Sequence, residues 1–224
     1  MSGPFDWPRA TWFGQRVPRD RLLAEAGGGK SIRDLYPSQV ERITWTHKLF
    51  ERSVNLAPGG GVEEIEVIEI RMKGDKLDDR VLAHVDAALR RHTVLELRCG
   101  DELAMAAAYK RRDESDGARM VVGPHMRGPW RPALAPRVPL PPATDLGGLY
   151  AGLLGALWPH PRHPGETLRD HADRVSSAAA EARKVERLTG RINREKSFAR
   201  QVELNRELRE AKRRLAALTE TRDA

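Results

Sequence analysis

Apolar residues follow two rhythms along this chain. The clearest two-residue rhythm is Glu64-Ile65-Glu66-Val67-Ile68-Glu69-Ile70-Arg71-Met72, where Ile65 and Val67 point one way and Ile68, Ile70 and Met72 the other. A strand that is apolar on both faces belongs inside a sheet. Between Ser38 and Leu49, β-branched and aromatic residues with Ile43, Trp45 and Leu49 on one side predict another strand. The spacing changes over Leu77–Arg91, where Leu77, Val81, Leu82, Val85 and Leu89 predict an amphipathic helix packed on that sheet. Thr93–Cys99 and Leu103–Lys110 flank Gly100-Asp101-Glu102 as a hairpin, and a turn at Asp113–Gly117 leads into Arg119–Val122. The order strand, strand, helix, strand, strand, strand predicts an α+β fold: a small, mostly antiparallel sheet with one covering helix.

Around this core the pattern is less regular. Pro4, Pro8 and Pro18 break up residues 1–30, a short helix is expected at Asp20–Ala26, and Gly27-Gly28-Gly29 stops it. Seven prolines between Pro124 and Pro142 predict an extended connector, because proline removes a donor and blocks helix. Asp145–Trp158 reads as a short apolar helix rich in glycine. From Glu166 to Thr219 there is no proline and one glycine, Gly190, and apolar residues recur at alternating spacings of three and four. That is the seam of a C-terminal coiled-coil helical arm. Phe198 and Val202 break its phase, so the arm either stutters there or folds into a hairpin near Gly190. The expected organisation is an α+β domain with its N-terminal extension over 1–123, a connector over 124–142, a short helix and break over 143–165, and the arm over 166–224.

Charge sharpens the picture of the arm. Lys and Arg total 39 against 32 Asp and Glu, a net charge of +7. The excess is concentrated: Arg183, Lys184, Arg187, Arg191, Arg194, Lys196 and Arg200 stand against Glu186 and Glu195. Arg187, Arg191 and Arg194 share one helix face, and such a row suits phosphate backbones through counterion release. Only Phe198 lies nearby, so contact would be with the DNA backbone and insensitive to base sequence. The lone Cys99, the missing basic-then-apolar leader and the lack of a membrane-length apolar run predict a soluble, cytoplasmic protein with no membrane partner.

Several catalytic patterns are absent or incomplete. Gly27-Gly28-Gly29-Lys30-Ser31 resembles the end of a phosphate-binding loop, yet Ala24 stands where that motif needs glycine and a polar helix precedes it. His160, His163, His171 and Asp170 have zinc-like spacing, but prolines hold the loop extended and no cysteine is close. Neither a metal nor another cofactor is expected. A metal-dependent nuclease would draw on Glu64, Glu69 and Lys73, with Lys110, but the residue two before Lys73 is Arg71, a cation where a ligand should be. The bland alternative pairs Glu69 with a nearby cation and makes Glu69, Lys73, Tyr109 and Lys110 a structural polar cluster.

A family resemblance runs through these segments. Ile43-Thr44-Trp45 with Lys48-Leu49, Val54-Asn55-Leu56, and Val62 through Ile70 with Lys73 carry it. Ala108-Tyr109-Lys110 and Glu195-Lys196 with Phe198 and Val202-Glu203-Leu204-Asn205 continue it. Together they resemble the bacterial domain-of-unknown-function family 4391, from about Val17 to Leu218. The resemblance implies genes beside DNA methyltransferases and superfamily-2 helicases, in restriction-modification-like or antiviral defence loci, and implies no activity. A family-like pattern would place a neutral or aliphatic hinge where Arg90-Arg91-His92 stands. The resulting expectation is a non-catalytic accessory subunit that docks a helicase or methyltransferase, with DNA and self-association through the coil as further contacts. A stand-alone DNA-binding protein and a divergent nuclease are the alternatives.

Overall fold

The computed structural model describes residues 4–116 and 120–220. Gly117 and Arg119, at the ends of the expected turn and strand, lie outside the described residues, as do 221–224 of the expected arm. The chain divides into two compact units, Met1–Trp158 and Pro159–Ala224.

The first unit is α+β. Its elements begin with β1 (Trp12–Arg16), α1 (Arg19–Ala26), α2 (Lys30–Gln39), β2 (Val40–Phe50) and α3 (Glu51–Val54). They continue with β3 (Glu64–Met72), α4 (Asp79–Leu89), β4 (His92–Cys99), β5 (Glu102–Ala107), β6 (Lys110–Arg112) and β7 (Met120–Val122). β8 (Met126–Arg127), β9 (Arg131–Pro132) and α5 (Leu146–Leu157) complete it. The main sheet runs β1-β2-β3-β4-β5-β8, with β9 also on β5, while β6 and β7 form a separate pair. Among the described strands every pairing is antiparallel except β3 with β4, which α4 connects as a parallel crossover.

Strand alternation sorts β3 as its pattern predicted. Ile68, Ile70 and Met72 join Leu95 and Leu97 of β4 and Val81, Leu82 and Val85 of α4 in one apolar core. On the other face β3 and β4 carry Ile65, Val67 and Val94, all fully buried. Asp78 starts α4 by accepting the Arg80 amide at 2.9 Å, the usual remedy for the unpaired donors of a first turn. Arg90 ends it at φ 49°, in the left-handed region.

Several elements differ from expectation: the strand expected over Leu103–Lys110 ends at Ala107, Lys110 opens β6 outside the main sheet, and the short α3 was not anticipated. β1 lies in the stretch read as irregular; its register with β2 is shifted by a bulge, and Gly14 takes φ 69°. α2 was not anticipated: Gly27, at φ 72°, stops α1 as expected, but Gly29 then starts another helix. The glycine run thus joins two helices, whereas a phosphate-binding loop follows a buried strand. The proline-rich segment is extended, but instead of only connecting, it adds β8 and β9 to β5 and bridges Val138 to Phe5.

The second unit is a helical hairpin, α6 (Leu168–Ile192) and α7 (Phe198–Thr219). Thr167 caps α6 by accepting the Asp170 amide at 3.1 Å. Leu188, Leu204 and Ala211 are buried together, with Val185, Ile192 and Leu208 against them. Arg214 pairs with Glu181 at 3.3 Å, and Arg174 donates to the Leu218 carbonyl at 3.1 Å, so the helices run antiparallel. The reversal falls at 193–197, just beyond Gly190. Glu195 forms it, accepting the Lys196 and Ser197 amides at 2.9 Å each. No helix among the described residues is long and apolar enough to cross a membrane.

Candidate functional site

Two places concentrate chemistry, one in each unit. In the first, Lys110 at the start of β6 is 2% exposed. Its three ammonium protons go to the carbonyls of Asp86 (2.9 Å) and Arg91 (2.5 Å) and to Thr93 Oγ1 (3.0 Å). Asp86 Oδ1 lies 2.7 Å from the same nitrogen as its ion-pair partner, while His125 Nε2 reaches Asp86 Oδ2 at 2.9 Å. Burial opposes ionisation of Asp86, but attraction to Lys110 and the bond from His125 outweigh it, holding the carboxyl below its ordinary value. A buried charge pair satisfied in this way ties α4, the Arg90–Thr93 segment and β6 to one point.

Beside this network, Glu66 of β3 is buried, and its Oε2 has no hydrogen-bond partner. Burial, repulsion from Glu64 and a hydrogen bond shared with Glu64 push its carboxyl up to about 8, against the weaker pull of Lys110 and Lys48. Glu66 therefore holds a proton at neutral pH, and Glu64 pairs with Lys48 at 2.8 Å. Burial and the nearby Lys110 charge lower His92 to about 4, keeping its ring neutral. Glu63, Glu64, Arg90, Arg91, His92 and Arg112 line a shallow, solvent-open pocket here. Arg91 and Arg112 both reach Glu63, at 3.1 and 3.4 Å.

The residues expected to form a polar cluster have separate partners. Glu69 lies 3.9 Å from Arg98, the ion pair anticipated for it. Lys73 Nζ donates to the Pro37 carbonyl at 2.7 Å. Tyr109 accepts the Gly123 amide through its carbonyl at 2.9 Å, and Lys110 belongs to the network above. Alternation along β3 places Glu64 and Glu69 on opposite faces of the sheet. His171 Nε2 meets the His160 carbonyl at 2.8 Å and His163 Nε2 that of Glu220 at 3.0 Å, both backbone contacts. Among the described residues no three potential metal ligands gather.

Asp86, His125 and Arg112 were not singled out from the sequence, and Glu66, expected near a strand end in water, is buried instead. Asp86 left one trace: it falls four residues after Leu82, inside the apolar stripe of α4, where an unpaired acid would be costly. His125 and Arg112 left none, being brought in by tertiary contacts alone.

In the second unit, the hairpin end carries the basic residues read from the sequence. Arg183, Lys184, Arg187 and Arg191 occupy the last turns of α6, Arg194 and Lys196 the reversal, and Arg200 the first turn of α7. All are exposed except Lys184, which is half-buried, and Arg200 pairs with Glu203. Phe198 and Val202, the two residues out of phase with the seam, are 79% and 51% exposed.

Fold and sites together define a two-unit protein, an α+β unit with a buried ion network and a helical hairpin with a basic end. The family described as Domain of unknown function (DUF4391) matches residues 5–215, nearly the whole chain, and the protein belongs to that family. Comparison with curated proteins and with solved structures gives no match.

Proposed function

We propose that the protein is a non-catalytic accessory subunit of a DNA-targeting complex. The α+β unit docks a helicase or methyltransferase subunit, and the hairpin, a short antiparallel coiled coil, contacts a further subunit or DNA. In the same reading α4 is the helix that covers one sheet face. The observation that carries this is the end of the hairpin, where Phe198 and Val202 are exposed in the same stretch of chain as the exposed Arg194, Lys196 and Arg200, on a frame built by Leu188, Leu204 and Ala211. Exposed aromatic and arginine residues together are the composition of a contact surface. Co-expression with the neighbouring helicase or methyltransferase genes should yield a stable complex, weakened about tenfold or more by Phe198→Ser with Val202→Ser. A monodisperse protein that ignores both partners would sink the proposal.

Direct DNA binding is the second reading, favoured by the exposure of Arg187, Arg191 and Arg194. Replacing all three with Glu should abolish retention on DNA and flatten its salt dependence, by about one unit of log–log slope for each phosphate no longer neutralised. Unchanged retention would exclude it.

A further inference from the structure

The basic hinge Arg90-Arg91-His92 has no part in the hairpin reading, and the fold sets it opposite Arg112 in a pocket. We propose that this pocket, at the amino ends of β3 and β4, binds a phosphate group through Arg90, Arg91 and Arg112.

The backbone that presents these arginines is pinned from beneath. Lys110 and Thr93 Oγ1 both donate to the Arg91 carbonyl, at 2.5 and 2.9 Å, and Arg90 is set in the left-handed conformation at φ 49°. A buried ion pair thus rigidifies a short segment whose guanidinium groups reach solvent. Arg90, Arg91 and Arg112 have side chains 66%, 47% and 54% exposed, and among the described residues Arg90 is held only by a long, exposed contact of 3.9 Å with Glu25. Anion sites are built on such preorganised forks, because guanidinium matches phosphate oxygens two at a time.

Glu63 marks the position of the ligand. Its two carboxylate oxygens take Arg91 at 3.1 Å and Arg112 at 3.4 Å, so it occupies the place of an anion held between two guanidinium groups. At 59% exposure its side chain swings into water at little cost. The other acid in the wall, Glu64, is matched by Lys48 at 2.8 Å. His92 is held neutral and neither adds to nor opposes the charge. The site is a shallow depression open to solvent, so a tetrahedral anion takes the place of the Glu63 carboxylate and leaves its substituent pointing outward.

The test titrates inorganic phosphate into the full chain at constant ionic strength and follows the ³¹P line width. Saturable broadening is expected, with Arg91→Gln/Arg112→Gln binding about tenfold or more weakly. Glu63→Gln, which removes the competing carboxylate, should bind several-fold more tightly; a merely structural role for Glu63 would not produce that gain. Far-UV circular dichroism checks that the variants remain folded. Broadening that never saturates, that survives in the double arginine variant, or that acetate reproduces would overturn the proposal. A 5′-phosphorylated oligonucleotide, its 5′-hydroxyl form and a nucleoside monophosphate then distinguish a nucleic-acid end from a small phosphorylated ligand. Glu substitutions at Arg187, Arg191 and Arg194 should leave phosphate binding intact, so failure of the hairpin reading and failure of this one are separable.

Discussion

Glu66→Gln changes one atom of a buried side chain and removes its titration. In the native fold Glu66 keeps its proton up to about pH 8, whereas an unhindered glutamate releases it near 4.5. The folded state therefore binds the extra proton throughout that interval. Stability from this group is fully present below pH 4.5 and is lost as pH rises toward about 8. Between those limits the wild type should lose about 1.4 kcal/mol per pH unit relative to the Gln variant. From pH 5 to pH 7.5 the accumulated difference is about 3 kcal/mol, with the variant the more stable at the upper end. Gln suits the site because its amide can donate to Glu64 as the protonated acid does, without a charge to desolvate. The assay is urea denaturation at several pH values, followed by tryptophan fluorescence. All five tryptophans, Trp7, Trp12, Trp45, Trp130 and Trp158, lie in the first unit, so the signal reports that unit alone. The first unit's two histidines with burial-lowered ionisation, His47 and His92, contribute similarly to both proteins and largely cancel in the difference. A stability gap between wild type and variant that does not change with pH would refute the reasoning.

Two further perturbations probe the same unit. Lys110→Met leaves Asp86 buried with His125 as its remaining partner. It should lower stability by about 3–5 kcal/mol in the same urea assay, and a loss under about 1 kcal/mol would show that the pair is not the anchor described. Gly147→Ala would place a methyl carbon 2.5 Å from the Gly59 carbonyl oxygen and 2.8 Å from its carbon, forcing the start of α5 away from the 59–62 turn. A loss of about 1–3 kcal/mol is expected, and a thermal unfolding midpoint equal to the wild type would contradict that packing.

Local sequence determined the elements whose rhythm serves one purpose. β3 has the bounds its alternation predicted, because a strand buried on both faces has no freedom to slip by one residue without exposing an apolar row. α4 follows its stripe, and the charge excess between Arg183 and Arg200 was legible because charge is a property of composition, not of packing. The broken phase at Phe198 and Val202 marked where the helices part, while reversal at 193–197 and antiparallel pairing depend on contacts such as Arg214 with Glu181.

Only the tertiary structure decided the rest. Trp12–Arg16 is a strand because β2 offers it an edge; its own residues, with Gly14 at positive φ, specify no strand. β8 and β9 each need just two paired residues, too few for any periodicity to announce. The ion network joins Asp86, Lys110 and His125 across up to 39 positions of sequence. Each is an ordinary polar residue locally, and burial alone turns it into one member of a coupled set. The same holds for the pocket: Arg90 and Arg91 are a basic hinge in the sequence, and they become two walls of a site only when the sheet carries Arg112 and Glu63 to meet them.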